Sequence, residues 1–132
     1  MKHGHTLKVG GSIIILTILI IGMSIFTQRL LGKDSQRLEQ SIEEIEKSAR
    51  IEDWDQAESG VKKVTEIWSN VKGTWSALID HQEIDNIDVT LSRLQMLVQT
   101  KELPSSLSEA AALRKYIGHI PAKEKLDLEN LF

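Results

Sequence analysis

Residues 54–78 read WDQAESGVKKVTEIWSNVKGTWSAL, and in that stretch Trp54, Ala57, Val61, Val64, Trp68, Val71, Trp75 and Leu78 alternate steps of three and four without a miss. Such steps place every apolar side chain on one face of an α-helix, as in a heptad seam. A half-buried strand would need alternation at every second residue, and no β-branched run of that kind occurs. The distal part of the chain is therefore expected to be all-α. Asp53 stands where an N-cap belongs, and Gln56, three residues on, completes a capping box, so the corner Ile51-Glu52-Asp53-Trp54 opens this helix. Gly73 interrupts the seam. A break is expected between Asn70 and Thr74, with the stripe resuming in a further helix.

Upstream, Leu38, Ile42, Ile45 and Ala49 recur at steps of four, three and four, the face of a first bundle helix. Downstream, Ala77, His81, Ile84, Ile87, Leu91, Leu94 and Val98 make the face of a third. It ends near Lys101, because Leu103 precedes Pro104 and a residue before proline is driven from helical geometry. A fourth helix carries Leu107, Ala110, Leu113, Ile117 and Ile120, with Ser106 as its cap beside Glu109 and Pro121 as its stop. The tail from Ala122 to Phe132 holds Leu126, Leu128, Leu131 and Phe132, apolar enough to return to the bundle. Four amphipathic helices with short connections predict a small antiparallel helical bundle. A tetratricopeptide-like pairing would also present Trp54 and Ala57 early in a helix, but no repeat of about 34 residues is visible.

Residues 9–26, VGGSIIILTILIIGMSIF, run eighteen positions without a charge. As a helix they rise about 27 Å against a hydrocarbon core of roughly 30 Å, and Thr27 and Gln28 extend the span toward Arg29. A cleaved secretory signal shares the basic start and the apolar run. The run is longer than the apolar region of such a signal and no A-x-A-like site follows it, which favours a retained transmembrane helix. A soluble core helix is disfavoured, since the remaining chain is too short to enclose a helix apolar on every side. The expected organisation is a short basic tail (1–8), a transmembrane helix (9–28) and an acidic helical domain (29–132). Only Gly32 separates the span from the first bundle helix, so a continuous rigid stalk is open to it.

Charge divides at the same place. Residues 1–33 carry Lys2, Lys8, Arg29 and Lys33 with no acid, whereas from Asp34 onward 12 Lys and Arg face 19 Asp and Glu, a local balance of −7 within a net charge of −3. A domain of that sign repels phosphate, so nucleic acid is not an expected partner. Basic residues flank the span on both sides, Lys2 and Lys8 before it and Arg29, Lys33 and Arg37 after it. The short tail before a first span tips the balance to a single-pass protein of the cell membrane with a cytoplasmic N-terminus and an extracytoplasmic C-terminal domain. The 132 residues hold one small domain and an appendage, and they include no cysteine and no Asn-x-Ser/Thr triplet. Disulfides, thiolate chemistry and N-glycosylation are thereby excluded, and the fold must live on packing.

These residues resemble those of the DUF4363 family, small single-pass membrane proteins of unknown function from spore-forming Gram-positive bacteria. The likeness rests on the apolar N-terminal span, on Asp53-Trp54-Asp55-Gln56-Ala57, on Trp68 to Trp75, on Leu78-Ile79-Asp80-His81-Gln82-Glu83-Ile84-Asp85 and on the ending Leu128-Glu129-Asn130-Leu131-Phe132. The resemblance implies a membrane-tethered helical domain. It brings no activity, substrate or catalytic residue.

His81, Glu83 and Asp85 have the side chains of a metal or acid–base site. On a helix, however, positions two apart diverge by about 200°, and only His81 and Asp85, four apart, share a face. Two ligands are too few, and a hydrogen-bonded core histidine is the favoured reading of His81. Trp54, Trp68 and Trp75 have the composition of an aromatic box for a cation or sugar, but heptad spacing assigns them to one packed seam. Met1-Lys2-His3 offers an amine, two amides and an imidazole to copper or nickel; a basic tail beside a span reads more simply as a topology signal. The clusters Glu43-Glu44-Glu46 and Glu52-Asp53-Asp55 are expected on solvated faces. No phosphate-binding glycine loop, nucleophile elbow, His-Glu-x-x-His or calcium loop occurs. No catalytic residue, cofactor or metal is therefore expected, and the chain is not expected to be an enzyme.

The expected function is a membrane-anchored, extracytoplasmic, non-catalytic interaction or accessory module. Its partners would be the membrane and another membrane or envelope protein, or a second copy of itself. The alternative is a small-molecule-sensing bundle that acts through a partner, with Trp68, Trp75, His81 and Glu83 as interaction or pocket residues. A hydrolase built on His81 and Glu83 would need a cleft these helices are not expected to form.

Overall fold

The computed structural model describes residues 3–131 and consists of four helices: α1 (His3–Arg50), α2 (Trp54–Leu78), α3 (His81–Gln99) and α4 (Leu103–Leu131). No strand occurs among the described residues. The all-α bundle read from the apolar periodicity is the fold observed. Its first helix doubles as the long apolar one. α1 runs 48 residues through Gly32 without interruption.

The two halves of α1 live in different surroundings. Ile13, Ile14, Leu16, Ile18, Leu19 and Met23 are between 58% and 73% exposed, so this half contributes nothing to the bundle core. It is long and apolar enough to cross a membrane. From Leu31 onward the same helix buries Leu31, Leu38, Ile42, Ile45 and Ala49. Each large aliphatic side chain so buried contributes about 1.5–3 kcal/mol.

α1 packs against α2 and α4, and α3 closes the ring by packing against the same two. Neighbours run antiparallel. Lys63 of α2 meets Glu44 of α1, while Trp75, further along α2, meets Asp34, nearer the start of α1. Arg93 of α3 meets Glu109 of α4, and Glu83 meets Lys123. The core between them includes Val64, Trp68, Trp75, Ile87, Leu94, Leu113 and Ile117. α1 and α2 approach closely at Gly60, where an added Cβ would stand 2.7 Å from Ile45 Cγ1. Only a glycine admits that approach without displacing the isoleucine.

The corners follow from local chemistry. α1 ends with Glu52 at φ 56°, its N–H donating to the Ala49 carbonyl and that of Asp53 to the Ser48 carbonyl, a Schellman closure. The Asp53 carboxylate accepts from the Gln56 backbone N–H at 3.1 Å, which bears out the cap. Because the Asp53 N–H is already committed to Ser48, the reciprocal half of a capping box is not needed. α3 ends the same way, with Lys101 at φ 58° and the N–H groups of Lys101 and Glu102 donating to Val98 and Leu97.

Several expectations are corrected. α2 does not break at Gly73 but continues to Leu78. A helical glycine costs about 1 kcal/mol, and the burial of Val71 and Trp75 on either side of it outweighs that. The break lies at Ile79, in extended geometry, and Asp80, whose carboxylate accepts from the Gln82 N–H at 2.9 Å. Ala77 therefore belongs to α2, and the α3 core face begins at Ile84. Ser106 is not a cap. α4 already starts at Leu103, with Pro104 in its first turn, where a missing N–H costs nothing, and Ser106 is a buried residue whose N–H bonds to the Glu102 carbonyl.

Pro121 does not stop α4, which continues to Leu131. A proline inside a helix leaves the carbonyl four residues back without its donor. Here that carbonyl belongs to Ile117, and the Ser35 hydroxyl of α1 donates to it at 3.2 Å. The tail thus extends as helix instead of folding back. Phe132 lies outside the described residues.

Candidate functional site

The chemistry-bearing side chains are arranged by the seam of α2. Trp68 and Trp75 are seven residues apart on one face, and both are buried. Their rings meet edge to face, with centroids 5.5 Å apart and planes at 89°. An indole N–H buried in this way needs an acceptor. Trp75 donates to Asp34 of α1 at 3.2 Å, and Trp68 donates to Asp88 of α3 at 2.7 Å. Lys72, one turn after Trp68, holds the second oxygen of Asp88. Two carboxylates therefore tie α2 to both of its neighbours.

The remaining ionic contacts extend this frame. Glu83, in the first turn of α3, pairs with Lys123 of α4 at 3.5 Å. Glu46 is buried, contrary to the solvated face expected for its cluster. Arg114 stands 3.5 Å from its Oε1 as an ion pair that lacks hydrogen-bond alignment. Glu43 and Glu44 are exposed, as are Glu52, Asp53 and Asp55.

The four residues singled out in the sequence are not brought together. Trp68 and Trp75 fill the core, Glu83 lies at the α3–α4 seam, and His81 is exposed on the first residue of α3. His81 is thus not a core histidine: it keeps the helical phase of Ile84 and Ile87, but it is the first residue of α3, at the exposed α2–α3 corner. Trp54 is half-buried against the core. Asp85 is exposed on the outer side of α3. The metal reading of Met1-Lys2-His3 rests on Met1 and Lys2, which lie outside the described residues. Among the described residues no three His, Asp or Glu side chains converge on a metal-binding position.

One surface feature was missed. Val89 and Met96, seven residues apart on the outer face of α3, are 52% and 65% exposed. Arg93 lies between them and reaches Glu109 of α4 at 3.6 Å. With Asp88 and Ser92 they line a shallow open depression. The signal was present in the sequence. Val89 and Met96 are out of phase with the stripe Ile84, Ile87, Leu91, Leu94 and Val98, so they fall off the core face of α3.

The class defined by this geometry is a closed antiparallel four-helix bundle whose first helix projects as a long apolar rod. The model of the domain of unknown function DUF4363 matches residues 25–131, and the chain belongs to that family. No match is found among curated proteins or among solved structures.

Proposed function

We propose that the chain is a membrane-anchored, non-catalytic interaction module, with the apolar half of α1 as a single span and the bundle outside the cytoplasm. The observation that carries this reading is the division within α1, unburied and apolar before Phe26 and core-forming after Leu31. The engagement of Asp34, Asp88 and Glu83 in contacts between helices supports a structural role for these carboxylates. The partner is another membrane or envelope protein, docked on the outer face of α3 at Val89 and Met96, an exposed apolar pair away from the span. Apolar anchors flanked by an arginine are the usual centre of such contacts.

A photo-crosslinking residue at Met96 in native membranes tests this. A discrete adduct that disappears when Val89 is replaced by Glu supports it. A chain that runs as a lone monomer in mild detergent and yields no adduct counts against it. A reporter fused after Phe132 gives the side of the membrane on which the bundle lies.

A further inference from the structure

We infer that the bundle rests directly on the lipid headgroup layer, where the last turns of α4 and the α2–α3 corner form a second membrane contact beside the span. This rests on the anchored reading above. The antiparallel register set by Ser35 and Ile117 carries α4 down along α1, so that Glu124 comes level with Gln28 and Asp127 with Ile25. The cover is visible on α1 itself. Ser24, Thr27 and Gln28 are half-buried, on the face that continues as Leu31, Ser35 and Leu38, while Ile25 and Phe26 stay exposed.

Glu124 and Leu78, the last residue of α2, share a groove with Thr27, Met23 and Ile20. Ile20 and Met23 belong to the uncharged run, so with that run in a bilayer this groove opens toward lipid and not toward water. The tail joins an exposed apolar side chain to two lysines, beside the acids Glu124, Asp127 and Glu129. Leu126 is 59% exposed and stands among Lys123, Lys125 and Asp127. Apolar side chains interspersed with lysines suit the boundary between headgroups and acyl chains, where Leu sinks about 5–10 Å and Lys extends outward. Burial holds the Glu124 carboxyl above the ordinary carboxylate range, with Asp127 adding to the effect and Lys123 opposing it. Lys123 also joins Glu83, which fixes the tail to the first turn of α3 and makes corner and tail one surface. Together they leave no raised stalk between bundle and bilayer.

The chain has no cysteine, so single spin labels can be placed at will in the full-length protein. Labels at Leu126→Cys, Ile18→Cys and Ser108→Cys, in nanodiscs of phosphatidylcholine and phosphatidylglycerol, are compared for collision with oxygen and with a water-soluble nickel chelate. The expected oxygen-to-nickel ratio at Leu126 is several-fold above that at exposed Ser108 on the upper part of α4, and below that at Ile18. A ratio at Leu126 equal to that at Ser108, with Ile18 lipid-like, overturns the second contact and leaves the anchor standing. Low accessibility at Leu126 to both reagents, with broadening between labels, assigns the face to a second copy and also overturns it. A water-like Ile18 overturns the anchor itself, and this inference with it.

Discussion

The Ser35 hydroxyl donates to the Ile117 carbonyl across 3.2 Å of core, four residues before Pro121 in α4. It replaces the one backbone donor that the proline withholds, and it explains how α4 passes a residue that ordinarily ends a helix. Ser35→Ala leaves that carbonyl buried and unpaired, a loss of about 1–3 kcal/mol. In a Pro121→Ala background the residue-121 N–H reclaims the carbonyl, so the same serine substitution costs less. Denaturant unfolding of the four variants in detergent measures the coupling, and equal costs in both backgrounds would refute the compensation.

Two glycines of α2 respond in opposite directions to the same change. At Gly73 an added Cβ meets nothing within 4 Å, so Gly73→Ala stabilises by up to about 1 kcal/mol through helix propensity. At Gly60 the methyl meets Ile45 Cγ1, and Gly60→Ala destabilises by about 1–3 kcal/mol. Ile45→Ala removes the obstructing atom and recovers part of the Gly60→Ala loss in melting temperature.

Glu52 and Lys101 occupy left-handed backbone positions at the ends of α1 and α3. A residue with a Cβ is strained there by roughly 1 kcal/mol, and glycine is not. Glu52→Gly and Lys101→Gly each raise the unfolding midpoint, and because the two corners are distinct sites their effects add. A fall in midpoint for both would mean that these side chains hold contacts outweighing the strain.

Glu124 makes stability depend on pH in a definite sense. Its folded carboxyl binds protons more readily than the unfolded one, because burial disfavours the charged form, Asp127 repels it and Lys123 only partly offsets both. Below the ordinary glutamate pKa the group is neutral in both states and contributes nothing. As pH rises from there through the raised folded value, ionisation costs stability. Glu124→Gln therefore raises the melting temperature at neutral pH, and its advantage shrinks to nothing in acid. An advantage independent of pH would assign the effect to packing.

How much of this was legible in the sequence depends on the range of the physics involved. The seam of α2 and the faces of the other helices were readable because helical periodicity repeats a local rule many times. Asp53 was readable as a cap because the partner it serves, Gln56, is three residues away. Gly73 misled because a local cost was weighed without the tryptophans packed around it. Pro121 misled because its compensation comes from Ser35, distant along the chain and marked by nothing nearby. His81 was read as core because it is in phase with Ile84 and Ile87, but periodicity does not show that α3 starts there, at an exposed corner, and so the candidate pocket dispersed. Val89 and Met96 were visible only as residues out of step with their own helix.

The passage of α1 from its apolar half into the core at Leu31 without a joint has a mechanical consequence. Torque applied to the greasy end arrives undiminished at the tryptophan seam, for there is no swivel to dissipate it. One residue inserted between Phe26 and Leu31 would swing the whole acidic body by roughly 100° about the helix axis. The outer face of α3 would then point to a different azimuth around the apolar half of α1. The facing direction of that surface is encoded, residue by residue, in the count of amino acids that precede it.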